Sequence, residues 1–212
     1  MVLKVKICGL TRPQDIEAAI AAGADMLGFI VEAESPRRLT VGQAARLVRP
    51  ARDCTKTVAV TVNASEDLLK HIHREIRPDF IQMHGSESPE WLRNVMKLTG
   101  IPLIKAIPVH VRADLDKAHA YAGCARYILL DAKPPKGTKQ AGGHGSGFDW
   151  SLLKGFDCES PLILAGGLSP DNIARARTTG IDFFDVSSGV EARPGVKDHA
   201  KIKAFMKAAK YA

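Results

Sequence analysis

The sequence predicts an α/β fold, a single (β/α)8 TIM barrel over residues 1–212, on three observations. Eight short runs rich in Val, Ile, Leu and Phe recur along the chain, stretches with helix-start signals separate them, and no linker or shift of composition divides the 212 residues. Such alternation builds a parallel sheet covered by helices. Eight repeats in this length favour a closed sheet, because an open doubly wound sheet ordinarily has about five or six strands.

The expected strands begin near Leu3 (LKVKIC), Met26 (MLGFIV), Thr57 (TVAVTV), Phe80 (FIQMH), Pro102 (PLIKAI), Tyr127 (YILLD), Leu162 (LILAGG) and Phe183 (FFDVSSG). Between them, Thr11 is the expected cap of a helix through Ala22, Thr40 precedes one over Val41 to Val48, and Ser65 opens one to Ile76 with Glu66 and Asp67 in its first turn. Ser88 with Pro89, a stretch from Arg112 to Tyr121, Ser169 with Pro170, and Asp198 to Ala209 complete the helices. Most strand starts fall 21 to 25 residues apart, but 35 separate Tyr127 from Leu162. The surplus, Lys133 to Phe148 (KPPKGTKQAGGHGSGF), reads as a loop after strand six, and loops at that end of the strands are where such barrels carry their sites.

At 45% hydrophobic and 25% charged residues the composition is that of a globular domain with a full core, which excludes a disordered tail, a fibre or a disulfide miniprotein. No run approaches the ~18 to 20 apolar residues of a membrane span. The start, MVLKVKICG, carries Lys4 and Lys6 where an export signal needs unbroken apolar residues, so a cytoplasmic location is expected. The four cysteines lie far apart, which points to reduced thiols rather than a zinc site or a disulfide framework. A net charge of +7 favours an anionic partner: nucleic acid, a membrane surface, or a small phosphate or carboxylate. With only 6% aromatic residues and no Lys/Arg-rich block, nucleic acid is the weaker of these.

Polar residues gather at the C-terminal ends of the strands: Cys8, Gln82, His84, Lys105, Asp131 and Asp185. Period two puts Lys6 and Cys8 on one face of strand one, Leu129 and Asp131 on one face of strand six, and Phe183, Asp185 and Ser187 on one face of strand eight. A single strand-end Asp is as often half of a structural ion pair; several converging at one mouth point to a site. A second cluster is made of small residues. Ala165-Gly166-Gly167 ends strand seven and Ser187-Ser188-Gly189 ends strand eight, where barrels of this kind bind phosphate through backbone N–H groups. One Gly-Gly alone would make only a tight turn; two such turns on adjacent closing strands are more specific. His71 and His73 have the wrong spacing for a metal pair on a helix, so no metal site is expected, and Cys54, Cys124 and Cys158 read as inert.

Eight segments carry a resemblance: KICGLTR (6–12), GADMLGFI (23–30), SPRR (35–38), QMHG (82–85), LLDAK (129–133), GGHGSGFDW (142–150), LAGGLSPDN (164–172) and DVSSGVEARPGVKD (185–198). Along its whole length the chain resembles the phosphoribosylanthranilate isomerase family, barrel enzymes of tryptophan biosynthesis. That resemblance implies an Amadori rearrangement of N-(5-phosphoribosyl)anthranilate without cofactor or metal. Cys8 would act as general base and Asp131 as general acid, with Arg37 holding the anthranilate carboxylate. His84 and Asp185 join them as expected substrate-binding residues, and Gly143, Gly145, Gly166, Gly167, Ser187, Ser188 and Gly189 as the expected phosphate site. The chain departs from the family pattern at His144 of the loop and at Arg38, which follows SPR where the family usually has SPRY.

The chemistry asks for one acid and one base: the ring oxygen is protonated to give a Schiff base, and the C2 proton then leaves to give an enolamine. Cys8 would need its thiol lowered toward neutrality, with Lys6 as a contributor, and Asp131 would need burial or the neighbouring Asp185 to keep its proton. Two alternatives stand beside this isomerase. One is another phosphate-binding barrel, a lyase or synthase, which the joint presence of Cys8, Arg37 and Asp131 disfavours. The other is a basic nucleic-acid-binding protein, which a salt-sensitive DNA or RNA shift would reveal. Whether the chain is a monomer or a homodimer is left open.

Overall fold

In the computed structural model, which describes residues 3–132 and 147–210, the apolar runs become eight parallel strands. They are β1 (Lys4–Cys8), β2 (Met26–Val31), β3 (Lys56–Thr61), β4 (Phe80–Met83), β5 (Leu103–Val109), β6 (Tyr127–Ala132), β7 (Leu162–Leu164) and β8 (Phe183–Val186). Each pairs with the next, and β8 returns to β1 with Lys6 opposite Asp185, so the sheet closes into the expected barrel.

Two cores follow from period two along strands buried on both faces. Val5, Ile7, Leu27, Phe29, Ile81, Leu103 and Phe184 face outward into the layer shared with the helices. Met26, Val58, Val60, Ile104, Ala106, Leu129, Ile163 and Phe183 face inward and fill the barrel. Its N-terminal end is plugged by aromatic rings: Tyr127 stacks edge-on with Phe80 at 5.8 Å and with Phe183 at 5.5 Å. Each buried ring or branched chain contributes on the order of 1.5–3 kcal/mol. The floor is thus apolar and tight, and the polar residues are left at the other end.

Most helix signals act as expected. Thr40 caps α2 (Val41–Val48) in a capping box with Gln43, Ser65 caps α3 (Glu66–Glu75), and Ser88 caps α4 (Pro89–Thr99), which stops at Gly100 in the left-handed region (φ +67°). Asp198 accepts from the amides of Ala200 and Lys201 at the start of the last helix, His199–Lys210. Thr11 does not cap α1 (Pro13–Ala21): its hydroxyl donates to Gly195 O at 2.6 Å, and Asp15, held by two nitrogens of Arg12, organises the first turn instead. The stretch from Arg112 is one α-helical turn, α5 (Arg112–Leu115), that tightens into a 3₁₀ segment, Asp116–Tyr121. Asp114 explains the short turn, because its carboxylate is spent on the amides of His110 and Val111 and on Lys117. Ser169-Pro170 does not open a helix directly. Asn172 bridges Ser169 N and Gly167 O, so the chain turns first and α6 runs only over Ile173–Arg177.

After β6 a 3₁₀ turn, Trp150–Leu153, stands where the barrel pattern would put an outer helix. Two features were not foreseen. Arg38–Leu39 adds a short parallel strand to β2, and Glu191–Arg193 pairs with Val196–Lys197 as a hairpin folded over the mouth. Among the described residues no helix is long and apolar enough to cross a membrane.

Candidate active site

The C-terminal ends of β1, β2, β4, β6 and β8 bring together Cys8, Arg37, Gln82, His84, Asp131 and Asp185, which with Glu34, Ser35 and Ser187 line one cavity of about 50 Å³. A second cavity of about 530 Å³, lined by Ser86, Lys105, Pro108 and Tyr121, shares His84 and Asp131 with it. The first space suits a reacting atom and its immediate neighbours.

Beneath the cavity floor, Lys6 is fully buried and donates to Asp185 Oδ1 at 3.0 Å. Burial works against its charge, but Asp185, and after it Cys8, outweigh burial and hold the ammonium above its ordinary range. Asp185 is pushed up by burial, with Lys6 opposing and the Asp131 carboxylate adding to the rise. Cys8 departs from the expected direction. Burial pushes its thiol up, and Lys6 pulls it down without overcoming that, while the Asp185 carboxylate adds to the rise.

The Cys8 sulfur fits only because β2 carries Gly28: a Cβ there would lie 2.8 Å from Cys8 Sγ and 3.1 Å from Lys6 Cε. GADMLGFI owes its inner glycine to that contact, a need invisible without the β1–β2 register that sets Cys8 opposite Gly28. On the other side of the cavity His84 Nε2 stands 3.2 Å from Asp131 Oδ2 and its Nδ1 lies 2.8 Å from the Gln82 amide. Asp131 Oδ1 accepts from the amide of Ala132 at 2.8 Å.

Arg37 is buried and gripped. Nε and Nη2 donate to the two oxygens of Glu191 at 2.8 Å each, and Lys197 Nζ binds the same carboxylate at 2.9 Å and Ser187 O at 3.0 Å. Nη1 makes no hydrogen bond among the described residues. Glu191, where Arg37 and Lys197 outweigh burial, is held below its ordinary range. Glu191 and Lys197 escaped the sequence reading; their trace was a pair of opposite charges flanking Pro194-Gly195 in DVSSGVEARPGVKD.

The small-residue cluster forms as expected after β7 and β8. The amides of Gly166 and Gly167 donate to no partner among the described residues, and Ser188 opens a 3₁₀ turn, Ser188–Val190, beside them. Gly166 takes φ +81°, and a Cβ there would lie 2.4 Å from Ala132 N and 2.9 Å from Asp131 Oδ1, so the turn after β7 also bounds the space around the carboxylate. Gly143 and Gly145 lie outside the described residues. Among the described residues no group of His, Cys, Asp and Glu side chains gathers as metal ligands.

The family model for N-(5'phosphoribosyl)anthranilate (PRA) isomerase matches residues 5–208. An N-(5'-phosphoribosyl)anthranilate isomerase of Rhodopseudomonas palustris is 46% identical over 209 residues, covering 98% of each chain. Among solved structures, the phosphoribosyl anthranilate isomerase of Thermotoga maritima superposes with a TM-score of 0.84 at 34% identity, covering 98% of each chain. A phosphoribosyl anthranilate isomerase in complex with reduced 1-(o-carboxyphenylamino)-1-deoxyribulose 5-phosphate does so with a TM-score of 0.81 at 33% identity, again over 98% of each chain. Full-length matches of this strength, on a barrel whose mouth carries the very residues the motifs singled out, show that the chain belongs to the N-(5'-phosphoribosyl)anthranilate isomerase family.

Proposed function

We propose that Cys8 and Asp131 divide the proton transfers by which this chain, acting as one catalytic domain, isomerises N-(5'-phosphoribosyl)anthranilate to 1-(2-carboxyphenylamino)-1-deoxyribulose 5-phosphate in tryptophan biosynthesis. The observation that carries this reading is the meeting of Cys8 from β1 and Asp131 from β6 in one cavity. Asp131 gives its proton to the furanose ring oxygen as the C1–O bond breaks and the anilino nitrogen forms the Schiff base. Cys8, as thiolate, then takes the C2 proton, and the electron pair moves to give the enolamine, which tautomerises to the ketone. Lys6, in the floor below, supplies the positive charge that favours the thiolate. Burial works against that thiolate, and Lys6 is the main group that opposes burial.

The polar ends of the substrate fit the remaining residues. Arg37, braced by Glu191, presents Nη1 to the anthranilate carboxylate, His84 and Asp185 face the sugar, and Gly166, Gly167, Ser187, Ser188 and Gly189 hold the phosphate, which accounts for the preference of a basic chain for an anionic small molecule. The cytoplasm suits such a reaction and four unpaired cysteines. The direct test is consumption of fluorescent phosphoribosylanthranilate by purified protein; a protein that leaves the fluorescence constant defeats the reading.

Two consequences concern binding. The carboxylate carries its charge before and during reaction, so Arg37→Ala is expected to raise KM about tenfold or more while lowering kcat less. Steady-state kinetics check this; if Arg38→Ala alone shows the pattern, the carboxylate lies one residue along. Ser188→Asp sets a carboxylate against a dianion without disturbing a glycine turn, and calorimetry with inorganic phosphate should show affinity falling by about an order of magnitude or more. Unchanged affinity would place the phosphate elsewhere.

A further inference from the structure

Gln82 is wholly buried on β4, with its side chain on the same face as His84 by the two-residue period of the strand. Its amide and the His84 ring form a relay toward Asp131: 2.8 Å from the amide to Nδ1, then 3.2 Å from Nε2 to Asp131 Oδ2. With the amide nitrogen turned to the ring, Nδ1 accepts, the ring hydrogen sits on Nε2, and that N–H donates to Asp131 Oδ2. This orientation leaves Gln82 Oε1 buried without a donor. The oxygen and nitrogen of an amide are nearly the same size, so the same heavy-atom positions admit the reverse. Oε1 then accepts from Nδ1–H, Nε2 keeps its lone pair, and Asp131 donates an O–H into it. The flip puts an amide N–H2 where the unpaired oxygen stood.

Function favours the second orientation, because in it the hydrogen between the ring and Asp131 belongs to the acid. We infer that Gln82 is a positioning residue that holds His84 in the Nδ1–H tautomer and thereby keeps the proton on Asp131; this rests on the reading of Asp131 as the acid. The charges around the relay have partners of their own, Arg37 and Lys197 sharing the Glu191 carboxylate. Lys6 is paired with Asp185, Arg37 with Glu191, and Lys105 with Glu87 at 2.8 Å. Cys8 and Glu34 on the smaller cavity, and Lys117 and Tyr121 on the larger, complete the titratable groups that line the two spaces.

The test is ¹⁵N NMR of histidine-labelled protein at neutral pH, with the His84 signals identified by their loss in His84→Asn. The expected pattern is a neutral ring protonated at Nδ1 and bare at Nε2; an Nε2–H ring or an imidazolium, read on the parent protein, overturns the proposal. Gln82→Met removes the acceptor at nearly constant volume. It should scramble the tautomer and lower kcat about tenfold or more with KM changed by less than about twofold, whereas Gln82→Glu, which keeps an acceptor at Nδ1, should restore both the Nδ1–H signal and most of kcat. A folded Gln82→Met protein with the original spectrum and turnover also overturns it. The two readings fail separately: an active Asp131→Asn enzyme removes the acid, while an inactive one beside an Nε2–H spectrum removes only the role of Gln82.

Discussion

Cys8→Ser and Asp131→Asn should each lose at least ~100-fold in kcat while binding a non-reacting product analogue nearly as well as the parent chain, the usual worth of a positioned acid or base being roughly 10²–10⁴-fold. Both substitutions keep side-chain shape. A serine hydroxyl at position 8 is far too weak an acid to yield a base there, and an asparagine at position 131 has no suitable proton to transfer. The two groups act in opposite protonation states, so the parent enzyme should show a bell-shaped pH profile. Burial raises the Cys8 thiol, so the limb that belongs to it is expected above the ordinary thiol range in kcat/KM, and it should vanish in Cys8→Ser. Rapid kinetics over a pH series check this. Near-full turnover by Cys8→Ser would move the base elsewhere, with Lys6 or His84 next in line.

Lys6→Met is expected to destabilise the fold by about 3–5 kcal/mol, because it leaves Asp185 buried at the β1–β8 seam with its charge unmatched. The double variant Lys6→Met/Asp185→Leu removes both charges and should recover most of that loss, since replacing a buried pair by apolar groups of similar volume is often neutral. Urea unfolding of the three proteins decides the matter; equal stabilities would mean the pair contributes nothing. The pH dependence has a definite sign. Lys6 is raised in the folded chain, so its contribution is complete below the unfolded lysine value and fades as pH climbs through the higher folded one. The loss of the lysine charge therefore belongs to strongly alkaline solution, while on the acid side the pair weakens first through Asp185, whose carboxyl burial pushes up.

Strand positions were legible because each is an apolar run bounded by turn residues, and the eight observed strands start within one or two residues of those runs. The faces of Lys6, Cys8, Asp131 and Asp185 were legible because period two is local. What remained hidden depends on contacts between distant residues. Thr11 reads as a cap until Gly195, 184 positions away, takes its hydroxyl. Arg37 reads as a free guanidinium until the hairpin after β8 brings Glu191 across 154 positions. The direction of the Cys8 shift needed the depth of burial, which sums over every neighbour: a lysine two residues away is visible in the sequence, but the low-dielectric surroundings that outweigh it are not.

The Lys6–Asp185 contact also has a bearing on how the ring is assembled. It joins the first strand to the last across 179 positions, so until the chain has been made through β8 the first strand keeps a bare edge and a lysine with no counter-charge. Sliding β1 by a single residue against β8 would turn Lys6 outward into the helix-covered layer and Cys8 away from the mouth. The ion pair thus works as an indexing pin: closure is compatible with one alignment of the first and last strands, and that same alignment seats the thiol in the cavity.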